Sequence, residues 1–69
     1  MPEGCALIID RLIEERRKRG MTQKELADAV KLSQAVIGRL ESKRHVPQLD
    51  TLLKVAGALG CELELVSHI

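Results

Sequence analysis

The residues with the clearest chemical purpose lie between positions 22 and 41, Thr-Gln-Lys-Glu-Leu-Ala-Asp-Ala-Val-Lys-Leu-Ser-Gln-Ala-Val-Ile-Gly-Arg-Leu-Glu. The second half of this stretch has a polar, small-residue face that no hydrophobic core would require. Such a face belongs on a helix that enters the DNA major groove, where side chains reach base edges. Catalytic chemistry has no comparable footing. His45 and His68 are the only histidines, and neither has a Cys, Ser or Asp companion at motif spacing. No phosphate-cradling glycine loop and no HExxH pattern occurs. Cys5 and Cys61 lie far apart, without metal-ligand spacing, and read as small buried or semi-buried hydrophobes. The expectation is therefore a non-enzymatic chain with no metal and no cofactor.

Two short elements must position that face. Thr22 and Glu25 have the spacing of a capping box, in which the Thr side chain caps its own helix and the Glu bonds back. Leu26, Ala27 and Val30 then recur at helical spacing. Lys31-Leu32 interrupts the run, and Ser33 is a second N-cap. Val36, Ile37 and Leu40 form the next apolar stripe. Helices of about three turns or fewer are not stable alone in water, so these are packing units. Ala27 is small enough to let two helices cross closely at the steep angle of a helix-turn-helix.

The ordered set Thr22-Gln23-Lys24-Glu25-Leu26-Ala27, Ser33-Gln34, Ile37, Leu40-Glu41 and Pro47 resembles the lambda-repressor-like helix-turn-helix family, the Xre or Cro/C1 type. The likeness runs from about Leu7 to Leu65. It implies an all-α, four-helix DNA-binding domain over residues 1–69, with the helix-turn-helix at 22–41. Two positions depart from the family pattern: Lys31 in the turn and Lys43 after the recognition helix stand where Gly is usual. Each is expected to be mildly strained or to sit in a slightly different turn.

The resemblance also implies site residues. Gln34, Ala35 and Arg39 face bases: Gln suits adenine, Arg suits guanine, and the Ala35 methyl suits a thymine methyl. Gly38 shares that side and lets the helix approach closely. Gln23 meets a phosphate with a helix N-terminus behind it. Ser33, Lys43 and Arg44 are further phosphate contacts. Arg16 pairs with Glu41, orients the recognition helix, and stays free to touch a phosphate.

Composition agrees with such a module. Sixty-nine residues allow one domain, and a core of that size is marginal and gains from oligomerisation. Aromatic residues are absent, so base stacking of the kind that single-strand and RNA binders use is excluded. The net charge is only +1, but its distribution is uneven. Residues 1–45 carry ten Lys/Arg against seven Asp/Glu, and residues 46–69 carry one against three. No run is long enough to cross a membrane and no charged-then-apolar leader opens the sequence, so a cytoplasmic location is expected.

The flanks complete the architecture. Cys5 to Arg19 reads as the first helix, with Ile8, Ile9, Leu12 and Ile13 inward, a basic end at Arg16-Arg17-Lys18-Arg19 and a stop at Gly20. A fourth helix opens at Leu49 or Asp50 and runs to Leu59, with Leu49, Leu52, Leu53, Ala56 and Leu59 inward and Gly60 as its stop. The tail, residues 61–66, alternates apolar and acidic residues and reads as a short β-strand. No other strand exists in the chain to pair with it. Leu63 and Leu65 are therefore expected to join a second copy across a two-fold axis, as in antitoxin-type members of the family.

The expected function is a sequence-specific transcriptional regulator that binds duplex DNA as a homodimer on a palindromic operator. Repression is the favoured mode, because blocking a promoter needs no further surface. The runner-up is an antitoxin or other protein-interaction module whose main task is to hold a toxin.

Overall fold

A computed structural model of the chain describes residues 1–68; Ile69, the last residue of the expected domain, lies outside the described residues. Four helices form: α1 Glu3–Lys18, α2 Gln23–Val30, α3 Gln34–Ser42 and α4 Leu49–Ala58. The first helix begins two residues earlier than the sequence suggests. Pro2 supplies a pre-set extended φ at its N-cap, and Glu3 places an anion in the first turn.

Caps written within a few residues set the boundaries of the central pair. At α2 the Glu25 N–H donates to Thr22 Oγ1 at 3.0 Å, and the Thr22 N–H donates to Glu25 Oε1 at 3.0 Å. The backbone and side-chain hydrogen bonds of Thr22 hold the Glu25 carboxyl below its ordinary range. Folding thus favours the ionised form. The stabilisation is present above the unfolded carboxyl pKa and is lost as pH falls through the folded one. At α3 the Val36 N–H donates to Ser33 Oγ at 3.2 Å.

Helices α1, α2 and α4 end alike. The bonds Gly20 N–H to Arg17 O and Met21 N–H to Arg16 O, at 2.9 and 3.1 Å, close α1. Lys31 to Asp28 and Leu32 to Ala27, at 3.3 and 2.9 Å, close α2, and Gly60 to Gly57 and Cys61 to Ala56, at 3.1 and 2.8 Å, close α4. This double bonding pattern is the Schellman motif, and it demands a left-handed residue just past the helix. Gly20 and Gly60 supply it at φ +68 and +69, whereas α2 uses Lys31 at φ +58. Lys43 adopts the same conformation after α3, at φ +60. Both lysines are therefore in ordinary left-handed turns, with the strain a Cβ brings. Lys31 is exposed. Replacing it by Gly should stabilise the domain by about 1 kcal/mol, or roughly 4–8 °C at the thermal midpoint. An unchanged midpoint in a calorimetric scan would show that the turn carries no strain.

The core is aliphatic throughout: Ile9 and Leu12 from α1, Leu26 and Ala27 from α2, Ile37 and Leu40 from α3, and Leu52, Val55, Ala56 and Leu59 from α4 and its cap. Helix α2 packs on both α3 and α4, and α1 packs on α3. Ala27 is buried where α2 meets its neighbours, so two backbones approach there without a bulky side chain between them. The inward face of α4 differs from the expected one. Leu49 and Leu53 are 65% and 48% exposed, and Val55 is fully buried instead. Leu52, Val55, Ala56 and Leu59 follow the i, i+3, i+4, i+7 pattern of one helical face, and Leu53 lies about 100° around from Leu52.

The tail also differs from expectation. No strand forms among the described residues, and 61–68 follow α4 without regular structure. A strand needs a neighbour to satisfy its backbone, and the described residues include no second strand to offer one. Cys61 packs against the core, and Leu63 lies beside Ile8 and Leu12 of α1 at 40% exposure, but Leu65 is 99% exposed.

Candidate nucleic-acid interface

Helix α3 has two opposed faces. Ile37 and Leu40 are buried and seat it against the core, while Gln34, Ala35 and Arg39 are exposed and Gly38 is half-exposed. Positions 34, 35, 38 and 39 are related by one- and four-residue steps, so they form one continuous strip along the helix. The strip begins at the helix N-terminus, where Ser33 caps and unpaired N–H groups carry partial positive charge.

Gly38 is not required by the fold. A Cβ there would meet only Gln23 Oε1, at 3.7 Å, which is ordinary van der Waals contact. A mid-helix Gly is less favourable than Ala by about 1 kcal/mol. The interior therefore gives no reason for the absent side chain, and its outer surface is the place where one would matter.

A polar network fastens the strip from beneath. Arg16 Nε donates to Glu41 Oε2 at 2.7 Å and Arg16 Nη2 donates to Glu41 Oε1 at 2.9 Å, a bidentate pair. Arg16 Nη1 donates to the Met21 carbonyl at 2.7 Å, and Gln23 Nε2 donates to Glu41 Oε1 at 3.1 Å. Glu41 sits near the C-terminus of α3, where the helix dipole disfavours an anion, and the guanidinium offsets that. An ionised carboxylate only accepts, so the amide of Gln23 must turn its Nε2 toward Glu41. Its Oε1 and its second N–H remain for an outside partner. Arg16 itself is only 8% exposed with three bonds made inside the protein. Little of its guanidinium is left at the surface for a phosphate.

Ser33 and Lys43 stand at the two ends of α3, with Arg44 next in the chain. Ser33 is exposed, and its hydroxyl oxygen is the cap of α3. Lys43 is half-buried, and its Nζ lies 2.6 Å from Asp10 Oδ1 of α1. Arg44 is exposed, and its backbone N–H reaches Ser42 Oγ at 3.4 Å. Sequence reasoning missed Asp10 and the Gln23–Glu41 bond. No short-range pattern announces either one. Leu63 and Leu65 lie on the tail, away from this network. Among the described residues no cluster of His, Cys, Asp or Glu could hold a metal ion, and no helix is long and apolar enough to cross a membrane.

Two short helices joined at a left-handed turn, the second capped and exposed along one strip, define a helix-turn-helix domain. Residues 12–66 match the family described as helix-turn-helix, and the chain belongs to this family, of the lambda-repressor-like Xre or Cro/C1 type. It is similar to an uncharacterized HTH-type transcriptional regulator of Haemophilus influenzae, 39% identical over 59 residues, covering 86% of this chain and 60% of that protein. It is 39% identical over 51 residues to the immunity repressor protein of Bacillus phage phi105, covering 74% of this chain and 35% of the repressor. The chain thus spans only part of the length of these relatives. A solved toxin-antitoxin module from Streptococcus pneumoniae superposes with a TM-score of 0.79 at 40% identity, covering 97% of this chain and 74% of that one.

Proposed function

We propose that the chain is a sequence-specific duplex-DNA-binding transcriptional regulator, a repressor, that acts as a homodimer on a roughly palindromic operator. The observation that carries this reading is the strip of Gln34, Ala35, Gly38 and Arg39, exposed on a helix whose opposite face is locked by Ile37, Leu40 and the Arg16–Glu41 pair. The kinship with regulators and a phage repressor supports it.

In this reading Gln34 pairs with adenine, Arg39 pairs with guanine, Ala35 touches a thymine methyl, and Gly38 admits the helix deep into the groove. Gln23, Ser33, Lys43 and Arg44 hold phosphates, with the N-termini of α2 and α3 behind the first two. Arg16 contributes to the phosphate surface chiefly by holding Glu41 and Gln23 in place. Tails from two copies pair antiparallel through residues 61–66, with Leu63 and Leu65 on the covered side, and a two-fold symmetric operator follows from the two-fold dimer. A cytoplasmic, non-enzymatic role follows from the same reading.

Arg39→Ala should cost about 1–3 kcal/mol on the preferred duplex and relax discrimination at a single base pair, and Gln34→Ala should do the same at a different one. Lys43→Ala should weaken all duplexes alike and flatten the salt dependence by about one unit. Selection of bound sequences from random duplex DNA, repeated with each variant, measures both effects. Unchanged affinity and unchanged base preference for Arg39→Ala would mean that another face of the protein reads DNA.

A second reading is that of an antitoxin that holds a toxin. It is favoured by the solved toxin-antitoxin neighbour and by the exposed apolar residues of the tail. The two roles are compatible in one chain. Tight operator binding by the purified protein alone favours the regulator, and DNA binding that appears only with a co-purifying partner favours the antitoxin.

A further inference from the structure

Lys43 does not stand free on the proposed phosphate surface. Its ammonium lies 2.6 Å from the carboxylate of Asp10, which is presented by α1 from 33 residues away in sequence. Lys43 also holds its backbone at φ +60, where glycine is the less strained residue. The chain therefore keeps a lysine in a turn that disfavours it, and then partly cancels its charge. Neither feature serves the core, because both side chains are substantially solvent-exposed.

We infer that Asp10 is an affinity-setting residue: a built-in counter-charge on Lys43 that an incoming DNA phosphate must share or displace. This rests on the reading of Lys43 as a phosphate contact. An ammonium has three donors, and Asp10 occupies one of them, so a phosphate can still bind. It does so close to a fixed negative charge, however. Phosphate contacts dominate affinity without carrying sequence information, whereas base choice resides in the α3 strip. Asp10 thus lowers binding to every duplex by a similar factor and leaves the preferred sequence unchanged. The ratio between right and wrong sites is then unchanged, and Asp10 sets how much of the protein is free rather than where it binds.

The experiment is a fluorescence-anisotropy titration across a salt series, on the selected preferred duplex and on a scrambled duplex of equal length. The proteins are wild type, Asp10→Asn, Lys43→Ala and the double variant, each checked for folding by circular dichroism. Asp10→Asn should tighten both duplexes about two- to fivefold at low salt, the range of a half-exposed ion pair, and the gain should shrink as salt is added. In the Lys43→Ala background the same substitution should have no effect. Weaker binding by Asp10→Asn would overturn the inference and make Asp10 a support for Lys43. Equal tightening with and without Lys43 would overturn it too, because Asp10 would then act by its charge alone. Lys43→Ala that leaves both duplexes unaffected removes Lys43 from the phosphate surface, and wild-type protein that binds neither duplex sinks the DNA reading itself.

Discussion

Glu41→Gln should lower the stability of the domain by about 3 kcal/mol, because it leaves the Arg16 guanidinium buried without its counter-charge. The two side chains are 10% and 8% exposed, so solvent cannot replace the lost carboxylate cheaply. In a domain of this size such a loss should move the thermal midpoint by more than about 10 °C. Operator affinity should fall as well, measured below the transition, because α3 and Gln23 both lose their anchor. Replacing both partners, Arg16→Met with Glu41→Leu, separates the two effects. Buried pairs replaced by apolar residues are often neutral in stability, so the fold should recover much of the loss. DNA affinity should stay low, because Gln23 still lacks its acceptor. A double-mutant cycle with near-zero coupling would remove the pair from this account.

The tail carries the second large effect. Glu64→Pro deletes one backbone donor in the middle of the proposed ladder, and proline is tolerated only at strand edges. It should shift the protein toward monomer. The fold of one chain should barely change, because the tail beyond Cys61 is largely exposed. Operator affinity should fall by about 100-fold or more, the scale lost when two linked half-site contacts become one. A dimer places two recognition helices about 34 Å apart, one turn of DNA, and a monomer has no use for the second half-site. Analytical ultracentrifugation of the wild type decides the matter. A monomer at tens of micromolar that binds DNA equally well without its tail is incompatible with the dimer.

The elements that were legible in advance share a property. The Thr22–Glu25 box, the Ser33 cap and the stops at Gly20 and Gly60 are each written within about five residues, so each could be read from neighbours alone. The strip at 34, 35, 38 and 39 was implied by the family resemblance, and its four residues are exposed or half-exposed on α3. Reading was partly right in α4, where Leu52, Ala56 and Leu59 were expected inward and are buried, while Leu49 and Leu53 were expected inward and are exposed and Val55 was missed. Taking both apolar steps, Leu49–Leu53 and Leu52–Ala56, makes a stripe wider than one helical face. The core keeps the second, because Val55 and Leu59 extend that face and fill the space under α2. The turn lysines were ambiguous in another way. A left-handed conformation is open to any residue at some strain, and only the bonds Lys31 and Leu32 make to α2 show that the chain accepts it.

Short-range hydrogen bonds and periodicity encode the four helices to within about two residues, the Thr22 and Ser33 caps and the polar face of α3. The charges depend on packing between helices: the Arg16–Glu41 pair was expected only through the family resemblance, and the Gln23 and Asp10 contacts were not expected at all. Glu41 draws on Arg16 from 25 residues away and on Gln23 from 18, and Lys43 meets Asp10 across 33. Those distances in sequence carry no pattern. They become contacts because aliphatic packing brings α1 and α2 against α3, and a low-exposure site then strengthens the ion pair it encloses. The tail marks the same boundary from the other side. Its alternation is plain in the sequence, but a strand exists only where a neighbouring backbone meets it, and among the described residues none does.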